Sequence, residues 1–358
     1  MEKFRIAFFD SKPYDREFFE RANLQYGFEL TFFEAKLRPQ TAGLAAGSDA
    51  VCAFVNDEID ETAVAKLAES GVKLIAMRCA GYNNVNVKAA CEHGIPVVRV
   101  PQYSPYAVAE YALALLMTLD RKIHRAYNRV REGNFAIGGL MGFDLRGKTV
   151  GIVGTGKIGR TFAELLTGFH VRLLAYDPFP DPEAAKRLGL EYAPLEKLFR
   201  ESDILSLHCP LTPENTHLVN ADAIAKMKDG VVLVNTSRGK LIDSAALVDG
   251  LKSGRIGAAG LDVYEEETDY FFEDRSGEIM QDDILARLTS FPNVIVTSHQ
   301  AFFTREAVTN IAETTLAACA DFIAGKPLEN AICRQCGGTK NCPGKRPGEH
   351  CTSNMISK

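Results

Sequence analysis

Three residues in this chain have side chains suited to moving a proton and holding an anion. Arg238 follows the apolar run Val231-Val232-Leu233-Val234 and then Asn235-Thr236-Ser237. A guanidinium on such a loop grips a carboxylate through two parallel hydrogen bonds, unless it serves only in a surface ion pair. His299 follows Val296-Thr297-Ser298. Imidazole titrates near neutral pH, so it can give or take a proton, or it can be a satisfied structural residue. Glu267 ends the run Glu265-Glu266-Glu267. An acid run is ordinarily a solvated loop, but a carboxylate bonded to His299 would stabilise the imidazolium. Spacing alone does not bring the three together. All three do lie just after candidate strands, the edge at which parallel sheets bind ligands.

A second constellation is Val150-Gly151-Ile152-Val153-Gly154-Thr155-Gly156-Lys157-Ile158-Gly159. It reads as a strand entering a Gly-x-Gly-x-x-Gly turn and then a helix. Gly154 permits the tight turn, Gly156 lets a pyrophosphate approach the backbone, and Gly159 lets the helix pack on the strand. A strand from Val171 to Tyr176 follows and ends at Asp177. An acid at that distance is placed for the adenosine ribose hydroxyls and repels a 2′-phosphate, so the motif reads as NAD-binding rather than NADP-binding.

These residues need elements to hold them. Short apolar runs starting at Arg5, Leu30, Ala50, Leu74 and Val97 alternate with helical stretches and read as a buried parallel sheet. Pro101 and Pro105 break the pattern, and an amphipathic stretch from about Ala107 to Arg131 reads as one long helix joining domains or lying in a subunit interface. After the glycine motif, runs at Ile204, Val231, Gly257 and Val294 continue the alternation, and Thr304 to Ala324 reads as a closing helix returning to the first domain.

Length and composition set the bounds. With 358 residues the chain is expected to form two domains. It is 46% hydrophobic and 24% charged, as soluble globular proteins are. A formal net charge of −5 supplies no broad basic field, so nucleic acid is not an expected partner. The start, Met1-Glu2-Lys3-Phe4-Arg5, lacks a signal-peptide pattern, and no apolar run reaches a membrane span, so a cytoplasmic location is expected. Of nine cysteines, Cys52, Cys79, Cys91, Cys209 and Cys319 read as reduced core thiols. Cys333, Cys336, Cys342 and Cys351, with His350, crowd the tail. The C-x-x-C pair there has zinc-like spacing, while a flexible basic terminus with exposed thiols is the preferred reading.

The motifs together resemble the D-isomer-specific 2-hydroxyacid dehydrogenase family over residues 1 to about 332. The stretches that carry the likeness are Met77-Arg78-Cys79-Ala80-Gly81-Tyr82-Asn83-Asn84-Val85, Tyr103-Ser104-Pro105 and the glycine motif. They continue through Ser206-Leu207-His208-Cys209-Pro210, Asn235-Thr236-Ser237-Arg238-Gly239, Gly260-Leu261-Asp262-Val263-Tyr264-Glu265 and His299-Gln300-Ala301-Phe302. Asp269-Tyr270-Phe271-Phe272-Glu273-Asp274 resembles the insertion of the family's lactate branch.

The resemblance implies an α/β fold of two doubly wound parallel-sheet domains. Residues 1–101 with 300–332 would form a flavodoxin-like substrate domain split in sequence, and 102–299 an inserted Rossmann NAD domain. A Cys-rich tail, 333–358, would follow. It implies Arg238 on the substrate carboxylate, His299 as acid and base, and Glu267 as its partner. Asp177 would take the ribose, Lys157 and Ile158 the pyrophosphate turn, and Asp262 a place near the nicotinamide carboxamide. Cys209, Pro210, Asn215, Thr236 and Ser237 would line the cofactor cleft. Ala80 and Gly81 would offer N–H groups to the carboxylate, and Phe54, Tyr103 and Phe302 would bound the substrate side chain or simply pack in the core. The implied reaction is reversible reduction of pyruvate to D-lactate with NADH, in a homodimer or homotetramer. A larger 2-oxoacid, or a non-catalytic NAD-sensing scaffold like the family's corepressors, shares the same motifs.

Overall fold

The computed structural model describes residues 3–332. The cysteines and His350 of the tail, and with them the zinc reading, lie outside the described residues. The chain divides into two compact units, Met1–Ser104 with the stretch from Thr304, and Pro105–Phe303.

The first unit is built on β1 (Arg5–Phe8), β2 (Glu29–Phe32), β3 (Ala50–Ala53), β4 (Leu74–Met77) and β5 (Val97–Val98). Their lateral order is β5-β4-β3-β1-β2, all parallel, which is the flavodoxin-like winding. β3 and β4 are buried at every position, as strands covered on both faces must be. One element departs from the all-parallel expectation. Ala331–Ile332 pairs antiparallel on the outer edge of β5, where the returning chain satisfies an otherwise open edge. The helix Arg305–Ile323, capped by the Thr304 hydroxyl, packs on the helix Pro13–Asn23 and on β4.

The second unit holds β6 (Thr149–Val153), β7 (Arg172–Tyr176), β8 (Leu190–Tyr192), β9 (Ile204–Leu207), β10 (Val231–Asn235), β11 (Ile256–Leu261) and β12 (Val294–Val296). The order is β12-β11-β10-β9-β6-β7-β8, all parallel. This is the Rossmann winding, with its switch point between β6 and β9. β8 was not legible as a strand in the sequence, because three residues are too few for a periodic signal. The single long helix expected from Ala107 is two, Pro105–Arg121 and Ile123–Arg131. The break is at Lys122, which sits in the left-handed region at φ 51°. The cause is a loop docking on the helix end. Buried Asp120 accepts the Phe143 N–H at 2.7 Å, and Lys122 Nζ donates to the Met141 carbonyl. No helix among the described residues is long and apolar enough to cross a membrane.

Candidate active site and cofactor cradle

The glycine turn lies at the switch point of the second sheet. Gly154 has φ 94°, and a Cβ there would stand 2.6 Å from the Cys209 backbone nitrogen. A Cβ on Gly159 would stand 2.0 Å from the Gly154 carbonyl oxygen. Both positions are therefore closed to any side chain. Gly156 differs: nothing lies within 4 Å of a Cβ built on it. It opens the helix Lys157–Leu166 as its N-cap, and with no side chain it supplies no cap of its own to the first turn. Open space over an uncapped helix start is what a pyrophosphate requires.

Asp177, at the end of β7, is tied to that turn. Its Oδ2 accepts the Thr155 N–H at 2.7 Å and the Thr155 hydroxyl at 3.0 Å, and its Oδ1 accepts the Phe179 N–H at 2.9 Å. Tyr192 on β8 continues the chain: its hydroxyl lies 2.9 Å from Thr155 Oγ1 and accepts the Asp181 N–H at 3.1 Å. The Thr155 and Tyr192 contributions were missed in the sequence, because nothing local marks them.

On the other side of the switch point, Cys209, Pro210, Asn215 and Ser237 are linked. Ser237 Oγ donates to the Cys209 carbonyl at 2.5 Å, and Asn215 Nδ2 to the Pro210 carbonyl at 2.8 Å. Burial pushes the Cys209 thiol up to about 11, so it stays protonated and inert. Thr236 is buried with no hydrogen-bond partner for its Oγ1 among the described residues. An orphaned buried hydroxyl at a strand end of this sheet, on a loop after β10, fits a ligand with polar groups. The residues present accordingly fit a dinucleotide.

His299 and Glu267 do meet. His299 Nδ1 lies 2.9 Å from Glu267 Oε1, and both side chains are largely buried. Glu267 Oε2 accepts the Tyr264 N–H at 3.1 Å. Burial pushes the Glu267 carboxyl up, but the charge and hydrogen bond of His299, the Tyr264 N–H and the charge of Arg238 outweigh it. The carboxyl ends below its ordinary range. The carboxylate therefore stays ionised beside the imidazole, bonded to its Nδ1. The Phe272 ring is tilted against that of His299, with centroids 6.1 Å apart.

Asp262 is fully buried at the end of β11. Its Oδ1 accepts Thr297 Oγ1 at 2.6 Å and the Gln300 N–H at 2.9 Å, and its Oδ2 accepts the Ala301 N–H at 2.8 Å. Its contacts are with the turn that carries His299. Arg238 lies at the end of β10. Asn235 Nδ2 donates to the Arg238 carbonyl at 2.9 Å, and Asn235 Oδ1 accepts the Ser237 N–H at 3.0 Å. Fully buried Asn235, absent from the sequence-based set, thus shapes the arginine loop.

In the first unit, Phe54 is buried with the Arg78 guanidinium 4.7 Å from its ring centroid. The Ala80 carbonyl accepts Arg99 Nη1 at 2.8 Å, and the Gly81 carbonyl accepts the Cys79 thiol at 3.2 Å. The Tyr103 carbonyl accepts Asn310 Nδ2 at 2.7 Å. Phe302, in the second unit, is buried with Phe303 edge-on at 5.9 Å.

Residues 113–301 match the family described as "D-isomer specific 2-hydroxyacid dehydrogenase, NAD binding domain". The chain belongs to this family. A 2-hydroxyacid dehydrogenase homolog of Haemophilus influenzae is 53% identical over 92% of this chain and 99% of its own length. The D-lactate dehydrogenase of Escherichia coli is 51% identical over 92% and 99%. The apo-structure of that Escherichia coli protein superposes with a TM-score of 0.84 at 49% identity, covering 92% of this chain and 100% of the other. The protein is an NAD-dependent oxidoreductase, and its two α/β units are the fold of this family.

Proposed function

We propose that the protein is a D-lactate dehydrogenase that reversibly reduces pyruvate to D-lactate. The observation that carries the reading is the His299–Glu267 hydrogen bond at 2.9 Å, with the Arg238 charge acting on the same carboxylate. It supports a general acid beside an anion anchor, the pair of functions a 2-oxoacid requires. The name of the Escherichia coli relative, half identical across nearly the whole chain, favours lactate among the 2-hydroxyacids.

When bound, the reduced nicotinamide supplies a hydride to the carbonyl carbon. Arg238 holds the substrate carboxylate in a planar, two-bond grip that orients the carbonyl. His299 donates the proton from Nε2 to the carbonyl oxygen, and takes it back in lactate oxidation. Glu267 stabilises the imidazolium and fixes which nitrogen faces the substrate. The glycine turn, Lys157 and Ile158 would bind the pyrophosphate and Asp177 the ribose. Cys209, Pro210, Asn215, Thr236, Ser237 and Asp262 would hold the remainder of the cofactor. In this reading the first unit is the substrate domain, with Phe54, Ala80, Gly81 and Tyr103 as substrate residues, and the second unit is the NAD domain and contributes Phe302.

Six large apolar side chains, Ile123, Tyr127, Val130, Phe135, Ile137 and Met141, stand exposed after the helix break. Their exposure supports a homo-oligomer assembled on this segment, to be tested by light scattering on the eluting protein.

The deciding experiment is NADH oxidation with a panel of 2-oxoacids, and product chirality read with enantiomer-specific lactate assays. Fast pyruvate turnover to D-lactate is expected. Preference for a branched or aromatic 2-oxoacid would move the substrate assignment, and NADH binding with no turnover would refute the enzymatic reading.

A further inference from the structure

The acidic run holds a second imidazole. His217 Nε2 lies 2.6 Å from Glu265 Oε1, two residues before the glutamate that partners His299. His217 belongs to the loop after β9, and its backbone is in the left-handed region at φ 54°. The segment it opens runs alongside the turn that carries Arg238. The His217 N–H donates to the Lys240 carbonyl at 2.8 Å, and the Val219 N–H to the Leu241 carbonyl at 3.0 Å. The return bond, Asp243 N–H to the Val219 carbonyl, is 3.0 Å.

Glu265 comes from the loop after β11 and meets the same turn from the other side. Its Oε2 accepts the N–H of Ser244, where the helix after the arginine turn begins, at 3.4 Å. The turn and the Glu265 backbone are in direct contact, since a Cβ on Gly239 would stand 2.0 Å from the Tyr264 carbonyl oxygen and 2.5 Å from the Glu265 nitrogen. The arginine turn is therefore clasped between two segments, and the His217–Glu265 bond joins those segments to each other.

We propose that His217 and Glu265 are a positioning pair for Arg238, setting how well the enzyme holds the carboxylate of its substrate. The proposal rests on the assignment of Arg238 as the carboxylate anchor. Among the described residues no hydrogen bond joins the pair to the side chains of His299 or Glu267, which are held by Asp262 and the Tyr264 N–H. Loosening it should weaken the anchor while leaving proton transfer intact. An anchor that grips equally in ground and transition states acts on KM and leaves kcat alone.

The test is steady-state kinetics on the full-length protein, with oxamate as a non-reacting stand-in for pyruvate. Glu265→Ala should raise the KM for pyruvate and the Ki for oxamate together by about tenfold, with kcat and the KM for NADH within about twofold of the unaltered enzyme. Glu265→Gln should recover most of the loss, because its amide oxygen still accepts from the imidazole. His217→Ala should match Glu265→Ala, and the double variant should be no worse than either, since a pair acting as one unit is not additive. Unchanged KM and Ki in the folded alanine variants would overturn the proposal, as would a fall in kcat at constant KM or an additive double variant. If the alanine variants do not fold, Glu265→Asp and His217→Asn, whose shorter side chains cannot close the 2.6 Å bond, read the same ratios. An unaltered enzyme that does not reduce pyruvate would refute the substrate assignment instead. The ratios are then read on the 2-oxoacid it does reduce, or as oxamate affinity by calorimetry.

Discussion

Asp262 holds His299 from both ends of its own structure. Its backbone carbonyl accepts the His299 N–H at 2.7 Å, and its carboxylate accepts the N–H groups of the next two residues, Gln300 and Ala301. The histidine needs this hold, because at φ 48° it occupies a region that non-glycine residues rarely adopt. Strain of this kind persists only where the surroundings over-determine it. The Asp262 carboxylate is thus a fixture of the acid–base residue, whatever else it touches when cofactor is bound.

Asp262→Asn should therefore damage both stability and turnover. The amide presents an NH2 where the carboxylate accepts from buried donors, which leaves at least one of them unpaired. Destabilisation of about 2–4 kcal/mol is expected by denaturant titration. A fall in kcat of roughly a hundredfold is expected from a misplaced imidazole. An Asn variant with unaltered kcat would refute the clamp.

Glu267 sets the pH behaviour. Its carboxyl titrates below its ordinary value of 4.5, so it is ionised across any assay above that pH. Its contribution to stability is complete above pH 4.5 and is lost as pH falls through the lower folded-state value. In the proposed mechanism pyruvate reduction takes a proton from His299, so its rate should fall as pH rises while lactate oxidation should rise. Glu267→Gln removes the negative charge beside the imidazole, and kcat/KM for pyruvate reduction should fall. Profiles of kcat/KM in the two directions check this, and identical limbs in the two directions would contradict the role of His299.

Arg238→Lys keeps the charge and loses the planar fork. Loss of one charge-assisted hydrogen bond, about 1.5–3 kcal/mol, corresponds to a rise in the KM for pyruvate of roughly 10- to 150-fold. The KM for NADH should stay near its original value, which separates loss of the anchor from general damage to the fold.

The glycine turn and the strand-end location of the polar residues were legible in the sequence because each rests on a local rule. Glycine spacing and short apolar runs are visible without knowing what they pack against. The meeting of His299 with Glu267 was not legible from spacing and came only through the family resemblance, because it depends on register. Leu261 pairs with Val296 on adjacent parallel strands, which sets Asp262 beside Thr297 and brings the following loops together. The same holds for His217 and Glu265, 48 positions apart. Tyr192 escaped notice because its strand is three residues long, and the Lys122 break because its cause, the docking of Phe143 on Asp120, is a tertiary contact.

Gly156 and Gly159 give a sharp contrast within one turn. Gly159 faces the Gly154 carbonyl at 2.0 Å from a built Cβ, so Gly159→Ala must push the helix off the strand. That variant should lose both melting temperature and NADH affinity. Gly156 has φ −62°, an ordinary value for alanine, and open space around its Cβ. Gly156→Ala should therefore fold with an unchanged melting temperature, or a slightly raised one from the stiffer unfolded chain. Its NADH affinity should still fall, by about tenfold or more, because the added methyl stands where the pyrophosphate approaches the backbone. Scanning calorimetry and NADH fluorescence titration separate the two effects. A Gly156→Ala protein that bound NADH as tightly as the original would show that the pyrophosphate does not sit over this turn.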